Sequence, residues 1–284
     1  MPSPIPSTIP SPFPGRDAFA PDALAGKVAL VAGASGGINL GIAQHFARHG
    51  ARVAILSRSA ERIAAAARTL PAAPDAVLAR AADVRDYDAV AAVVRETAAT
   101  FGPIDIVVSG AAGNFHAPAA HLSPNGFRTV VEIDLIGSFH VLRASFEHLR
   151  QPGASLIAIT APGATHPGPF QAHANAAKAG VNMLVRCLAL EWGPAGVRVN
   201  ALSPGPIAGT EGMARLAATP ERERAIKQRL ALRDYGQIRD VADMALFLAS
   251  DNARYVTGTV FDCDGGAGLG DASADALSAP PPRR

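Results

Sequence analysis

A glycine-rich segment near the start of the chain has the spacing of a phosphate-binding turn. It runs Gly33-Ala-Ser-Gly-Gly-Ile-Asn39, between an apolar run at 27–32 and a helical pattern. Glycines at a strand-to-helix turn let the backbone approach a pyrophosphate, and the helix N-terminus supplies free N–H donors. An ordinary tight turn is the alternative. Asn39 stands where a third glycine is expected, and we expect a pyrophosphate to bind nonetheless. The predicted cofactor contacts are Gly33, Ser35, Gly36, Gly37 and Ile38.

The end of the second apolar run indicates which dinucleotide binds. An acidic residue there would accept a hydrogen bond from the ribose 2′-hydroxyl of NAD, but the sequence is Leu56-Ser57-Arg58-Ser59, followed by Arg62. A hydroxyl and guanidinium groups suit a 2′-phosphate, because arginine offers charge and a bidentate fork. We therefore predict NADPH, with Ser57, Arg58 and Arg62 as contacts. Two solvated cations at a helix start are the alternative. Asp83 and Val84, at the end of the third strand, are expected to hold the adenine edge.

Short apolar runs alternate with longer helical patterns along the chain. Strands are predicted at 27–32, 52–56, 104–108, 154–159 and 197–202, and helices near 40–49, 60–69, 86–100, 123–149, 172–192 and 238–250. Such runs separated by helices indicate a parallel sheet covered on both faces. The predicted fold class is α/β, a doubly wound parallel (Rossmann) sheet in a single domain, with ligands beyond the carboxyl ends of the strands.

Composition limits the remaining possibilities. We assign 1–20 to a disordered Pro/Ser-rich tail, 21–266 to the folded domain and 267–284 to a flexible tail. The formal net charge of +2 gives no basic field for nucleic acid. The two cysteines, Cys187 and Cys263, lie far apart, so we predict buried, reduced thiols and no metal site. No apolar run reaches the roughly 18 residues of a membrane span, and a soluble cytoplasmic protein is expected.

These features resemble the short-chain dehydrogenase/reductase family over residues 24–267. The small-residue stretch Ser109-Gly-Ala-Ala-Gly-Asn114 and the turn Pro204-Gly-Pro-Ile207 match the family pattern. The family's catalytic signature is Tyr-x-x-x-Lys with a serine thirteen residues before the tyrosine. Lys178 fits the lysine, but Ala174 and Ala161 occupy the tyrosine and serine positions. Ordinary ketone chemistry needs an acid at that tyrosine position, so a different reaction is indicated.

One branch of the family lacks that tyrosine, and this sequence looks like it. The branch is the peroxisomal-type 2,4-dienoyl-CoA reductases, which act on carbon–carbon double bonds. The similar stretches are 111–115, 132–139, 171–178, 190–194 and Ser203-Pro-Gly-Pro-Ile-Ala-Gly-Thr-Glu-Gly212. The resemblance implies that Asp134 and Lys178 form the catalytic pair. It also implies an acyl-CoA substrate, a homotetramer built on the helices 123–149 and 172–192, and fatty-acid oxidation as the setting. The chain ends Pro-Arg-Arg rather than in the branch's targeting tripeptide, so a cytoplasmic enzyme is expected.

The same resemblance implies the remaining contacts. Cofactor contacts are expected from Ala111, Lys178, Pro204, Gly205, Ile207 and Thr210. Substrate contacts are expected from Arg58, Arg85, Phe115, His116, Ser123 and Asn125.

The chemistry can proceed without a tyrosine. Hydride addition at the δ carbon of a 2,4-dienoyl thioester gives a dienolate, which needs a proton at carbon that a water can deliver. Lys178 would hold the nicotinamide ribose and orient this water, with Asp134 as its acceptor. Lys178 as a pure ribose ligand and Asp134 as a packing carboxylate are the alternatives. His173, Asn175 and Thr160 are better explained as local structural residues.

Other interpretations of the sequence stay open. The basic residues at 211–233 form either a lid that meets the CoA phosphates or an exposed mixed-charge helix. A short-chain reductase with an unrelated substrate would need a substitute acid such as Asp134 or His173. A catalytically inactive NADPH-binding scaffold is suggested by Ala161 and Ala174.

Overall fold

The computed structural model describes residues 18–274, and one parallel sheet organises them. The strands are β1 Val28–Ala32, β2 Arg52–Ser57, β3 Val77–Ala81, β4 Ile106–Ser109, β5 Ser155–Ile159, β6 Arg198–Pro204 and β7 Val260–Cys263. Their order across the sheet is β3-β2-β1-β4-β5-β6-β7, and every neighbouring pair is parallel. The strand order reverses between β1 and β4, which opens a crevice at their carboxyl ends. The predicted doubly wound α/β fold is therefore confirmed.

Helices cover both faces of this sheet. They are α1 Gly37–Arg48, α2 Ala60–Ala67, α3 Tyr87–Phe101, α4 Pro124–Val131, α5 Gly137–Ser145, α6 Ala172–Trp192, α7 Glu211–Leu216, α8 Pro220–Arg229 and α9 Ile238–Ala249. Side chains alternate along each strand, so Val28 and Leu30 join a core with α3, α5 and α6. Ala29 and Val31 join a second core with α1, α2 and α9. This two-sided burial explains why the strands read as continuous apolar runs.

Three sequence expectations need correction. The predicted helix 123–149 is divided by a π-helical segment, Glu132–Ile136, and ends in a 3-10 turn at Phe146–His148. The edge strand β7 was not predicted, because its short, half-buried sequence lacks a strong apolar run. Cys187 is exposed and Cys263 half-buried, so the prediction of two buried thiols is wrong, although both cysteines are free.

The expected terminal tails fall mostly on residues 1–17 and 275–284, outside the described part of the chain. Residues after 266 contact α8 before the description ends: the amide of Ala272 donates to the Arg229 carbonyl oxygen, and Asp271 pairs with Arg229 at 3.1 Å. No helix within residues 18–274 combines the length and apolar character needed to cross a membrane.

Candidate active site

The turn between β1 and α1 is fixed by hydrogen bonds from the Gly33 and Ala34 N–H groups to the Leu56 carbonyl oxygen, and the donors at the start of α1 stay open. Gly33 has a φ of +80°, and a Cβ there would lie 2.7 Å from the backbone of Ala111, so only glycine fits. Gly36 caps α1 without any side-chain hydrogen bond, and a Cβ at Gly37 would meet nothing within 4 Å. The first-turn N–H groups of α1 therefore face free space, with the positive end of the helix dipole behind them.

Asn39 takes a structural position behind this turn. Its Nδ2 donates to the carbonyl oxygen of Gly110 at 2.7 Å and, more weakly, to that of Gly33 at 3.4 Å. The side chain thus joins the turn to the end of β4, and a Cβ at Gly110 would overlap it. The third glycine position is filled without obstructing the phosphate side of the turn.

A second group of polar residues lies where β2 and β3 end. The Ser57 hydroxyl is buried and makes no hydrogen bond within the described residues, while Arg58 is exposed. Arg62 lies near the glycine turn and pairs with Glu211 of α7 at 3.2 Å. A buried hydroxyl without a partner normally carries a cost, so Ser57 is suited to accept a ligand here.

Asp83 and Arg85 form a close pair beside this group. The guanidinium contacts both carboxylate oxygens, with the shortest distance 2.6 Å. Hydrogen bonding from Arg85 lowers the pKa of Asp83, and the nearby charge of Arg58 acts in the same direction. The three charged side chains therefore share one edge of the crevice, with Arg85 folded onto its own loop.

Asp134 and Lys178 meet at the centre of the crevice. The Lys178 ammonium lies 3.3 Å from one carboxylate oxygen of Asp134 and donates to the carbonyl oxygen of Ile159 at 2.9 Å. The other carboxylate oxygen of Asp134 accepts the backbone N–H of Gly113 at 2.7 Å. Asp134 is 1% exposed and Lys178 7% exposed. Asp134 lies in the π-helical segment, a local distortion that often marks functional sites.

Alanines stand beside this pair at the positions where the family has its phenol and serine hydroxyl. Ala174, four residues before Lys178, is buried, and Ala161 follows the end of β5. Thr160 directs its hydroxyl to the Lys178 carbonyl oxygen at 3.4 Å, which agrees with the structural role expected for it. Among these groups, the Lys178 ammonium and the Asp134 carboxylate are the two that can exchange or orient a proton.

His173 lies at the start of α6, and its environment is unusual for a polar side chain. It is fully buried in the first turn of α6, and no hydrogen bond of normal geometry reaches either ring nitrogen within the described residues. Its ring packs against Phe115 with centroids 4.4 Å apart. Desolvation lowers the pKa of His173; the charge of Asp134 and the backbone of Phe115 partly oppose this shift, and His116 adds to it. Burial therefore favours the neutral form of the ring.

The other predicted site residues occupy the same edge of the sheet with different exposure. Ala111 follows β4, Pro204 ends β6 and Gly205 comes directly after it, whereas the Ile207 side chain is buried in the core. The Thr210 hydroxyl already caps α7 and the Ser123 hydroxyl caps α4. Phe115, His116 and Asn125 are exposed on the loop and helix after β4, and Val84 is buried beneath β3's end. The backbone contacts of Gly113 and Ile159 were missed, because backbone groups leave no residue-type signal.

The comparisons with known proteins decide the family. The family model described as "Enoyl-(Acyl carrier protein) reductase" matches residues 33–268. The chain belongs to the short-chain dehydrogenase/reductase family. Peroxisomal 2,4-dienoyl-CoA reductases are similar to it: the Saccharomyces cerevisiae protein is 40% identical over 92% of this chain and 90% of its own length. The Pongo abelii protein is 44% identical over 89% and 88%. Both are named (3E)-enoyl-CoA-producing.

A solved structure gives the same result for the fold. The crystal structure of a short chain dehydrogenase from Bacillus anthracis superposes with a TM-score of 0.77 at 35% identity, covering 85% of this chain and 96% of that one. The sequence resemblance to this family and to its dienoyl-CoA reductase branch is thus confirmed.

A nicotinamide cofactor is implied by the family and fold, and the crevice fits one. The open N-terminus of α1 suits a pyrophosphate, and the unpartnered Ser57 hydroxyl suits the adenine ribose. Lys178 lies at the position where the family's lysine holds the nicotinamide ribose.

Proposed function

We propose that this protein is an NADPH-dependent 2,4-dienoyl-CoA reductase that yields a 3-enoyl-CoA. The observation that carries the proposal is the buried Asp134–Lys178 pair, at 3.3 Å, with alanine in place of the tyrosine. A carbonyl reductase must protonate an alkoxide oxygen, whereas reduction of a conjugated double bond ends with a proton on carbon. The names of the relatives in Saccharomyces cerevisiae and Pongo abelii support the same substrate class.

The preference for NADPH rests on the end of β2. Ser57 offers a buried hydroxyl without a partner, and Arg58 is exposed beside it. Arginine recognises phosphate through charge-assisted hydrogen bonds, and the acid that would select a free 2′-hydroxyl is missing. When bound, the reduced nicotinamide supplies a hydride to the δ carbon of the dienoyl thioester.

Lys178 and Asp134 would then hold the water that delivers one proton to the substrate. Lys178 has one N–H left after its contacts with Asp134 and Ile159, and the bound ribose and a water would share this donor. The carboxylate of Asp134 would accept a hydrogen bond from the same water. The water gives a proton to the α carbon of the dienolate, the α,β bond becomes single, and the β,γ bond remains double. The hydroxide left behind regains a proton from solvent. General acid–base assistance of this kind is worth about 10²–10⁴ in rate.

The proposed substrate contacts lie at the exposed side of the crevice. Phe115, His116 and Asn125 line the exposed side of the crevice, and Ser123 starts α4 beside them. Arg58 and Arg85 would meet the phosphates of the CoA portion, which requires Arg85 to share its guanidinium with Asp83. The helices α7 and α8 are exposed and carry mixed charges in ion pairs such as Arg215–Glu211 and Lys227–Glu223. A lid role for them stays a prediction.

Assembly and location are further parts of the proposal. Large apolar side chains are exposed on the segments predicted to build a homotetramer: Ile136, Phe139, Met183 and Leu190. Exposed apolar patches on one pair of helices suit association with a second copy. Sedimentation analysis tests the tetramer, and a fluorescent fusion tests the expected cytoplasmic location.

NADPH oxidation with 2,4-hexadienoyl-CoA tests the function. We expect loss of absorbance at the NADPH band in proportion to the dienoyl-CoA consumed, with little activity on simple ketones. NADPH binding without oxidation by any enoyl- or dienoyl-CoA would reject the proposal in favour of a binding scaffold. Reduction of an unrelated carbonyl compound alone would favour a different short-chain reductase.

A further inference from the structure

His173 is a buried polar group that the proposed mechanism does not use. Its side chain is 0% exposed, and neither ring nitrogen has a hydrogen bond of normal geometry within the described residues. A weaker hydrogen bond with the Phe115 backbone acts on the ring and raises its pKa, and it accounts for one nitrogen at most. A neutral imidazole carries one N–H donor and one acceptor. Leaving such groups without partners in a protein interior is costly, so each instance calls for an explanation.

The neighbours of His173 show what kind of partner is missing. The ring packs against Phe115, so one side is closed by an aromatic face. Phe115 belongs to the same loop as Gly113, whose N–H donates to Asp134 at 2.7 Å, so the ring lies on the side of the crevice that holds this carboxylate. The charge of Asp134 accordingly acts to raise the pKa of His173. The next residue is Ala174, where the family has a phenol, so no phenol oxygen is present to contact this ring. A small polar molecule held between the imidazole and the Asp134–Lys178 pair would supply the missing partner.

A buried water needs two to four polar partners. Lys178 offers its third N–H and Asp134 its remaining lone pairs, but these two groups lie side by side and leave the water free to rotate about them. A third contact from a different direction would fix which O–H points at the substrate carbon.

We propose that His173 is a positioning residue that hydrogen-bonds the proton-delivering water. The inference rests on the proposed function. It assigns His173 no proton of its own to transfer: the neutral ring holds the water's orientation while Asp134 and Lys178 bind it.

Two substitutions at this position test the proposal. His173→Phe keeps an aromatic ring against Phe115 but removes both nitrogens, whereas His173→Asn keeps one donor and one acceptor. His121→Phe, on an exposed turn, is the matched control. With NADPH and 2,4-hexadienoyl-CoA, we expect His173→Phe to lower kcat by about 5- to 150-fold, the range for losing one buried hydrogen bond. KM and the NADPH dissociation constant should change by less than about twofold, since the lost bond acts on neither ligand.

Two further readouts separate positioning from simple packing. The solvent deuterium isotope effect on kcat should rise in His173→Phe, because proton delivery becomes slower, and His173→Asn should recover part of the loss. Unchanged kcat in His173→Phe would overturn the proposal. A change confined to KM would assign the ring to the substrate instead. Equal losses in both variants, together with weaker NADPH binding, would show a structural role.

NMR spectroscopy of the free protein tests the state and surroundings of the His173 ring without relying on turnover. Long-range ¹H–¹⁵N spectra should show a neutral His173 ring at pH 7 whose resonances shift in Asp134→Asn, because both contact the same water. An imidazolium signal, or no response to Asp134→Asn, would overturn the inference even if the enzyme reduces dienoyl-CoA. If the spectra are as expected but the protein oxidises no NADPH with a dienoyl-CoA, the proposed function is rejected instead.

Discussion

Removal of the Asp134 carboxylate is the perturbation with the best-defined consequences. Asp134 is 1% exposed, contacts the Lys178 ammonium at 3.3 Å and accepts the Gly113 N–H at 2.7 Å. Asp134→Ala leaves a buried ammonium without its counter-charge and a backbone donor without an acceptor. Removing one partner of a buried ion pair generally costs about 3–5 kcal/mol, and we expect a loss of stability in that range.

Asp134→Asn separates the rate effect from the stability effect. The amide oxygen can still accept the Gly113 N–H and fills the same volume, so the stability loss should be smaller than for alanine. The negative charge that orients the water is lost in both variants. We therefore expect turnover of 2,4-hexadienoyl-CoA to fall by about 10²–10⁴ in each.

Three measurements on each variant complete this test: urea denaturation for stability, NADPH oxidation for kcat, and a fluorescence titration for NADPH affinity. NADPH affinity should stay nearly intact in the Asp134 variants. Lys178→Ala should weaken it and also lower kcat, because we propose that Lys178 holds the ribose. Full activity of Asp134→Asn would refute the reasoning. So would a loss of NADPH affinity as large as the loss of turnover.

Three other predictions concern the choice of cofactor, the missing phenol, and Asp105, which directly precedes the central strand β4. Arg58→Ala should weaken NADPH by about 1.5–3 kcal/mol and NADH far less, with Arg68→Ala as the control; equal losses for both cofactors in titrations would contradict this. Ala174→Tyr should not raise the rate of dienoyl-CoA reduction, since no alkoxide needs a proton; a faster variant would argue for phenol catalysis. Asp105→Ala removes the buried acceptor of the Val28 N–H and the partner of Arg150, so urea denaturation should show a loss of about 1–3 kcal/mol with NADPH affinity retained.

Much of the fold follows from local patterns in the sequence. Continuous apolar runs predict the buried strands, because a parallel sheet is covered on both faces. The topology then brings together two residues 44 positions apart in the chain (178 − 134): the segments bearing Asp134 and Lys178 pack side by side and present both to the crevice. The family resemblance predicts the reaction, reduction of a 2,4-dienoyl-CoA, and the similar proteins from Saccharomyces cerevisiae and Pongo abelii are named for that reaction.

Other parts of the site depend on three-dimensional detail that residue types do not encode. The π-helical segment around Asp134 adds one residue to a turn, and the helical periodicity of 123–149 does not reveal it. The sequence predicts only that Asn39 leaves pyrophosphate binding intact, whereas in the structure its side chain also donates to the Gly110 carbonyl oxygen after β4. The burial of the His173 ring also depends on three-dimensional packing, since the sequence indicates only a local structural residue. The roles of the individual site residues stay predictions.

The most direct test of the central claim follows the isotopes of one turnover. Unlabelled NADPH and 2,4-hexadienoyl-CoA in D₂O should give a (3E)-enoyl-CoA with one deuterium, at the α carbon and none at the δ carbon. NADPH deuterated at the transferred position, in ordinary water, should place its deuterium at the δ carbon alone. Mass spectrometry and proton NMR of the product read both positions. Solvent deuterium at another carbon, or no reduced acyl-CoA while NADPH binds normally, would contradict reduction by water-mediated protonation at the Asp134–Lys178 pair.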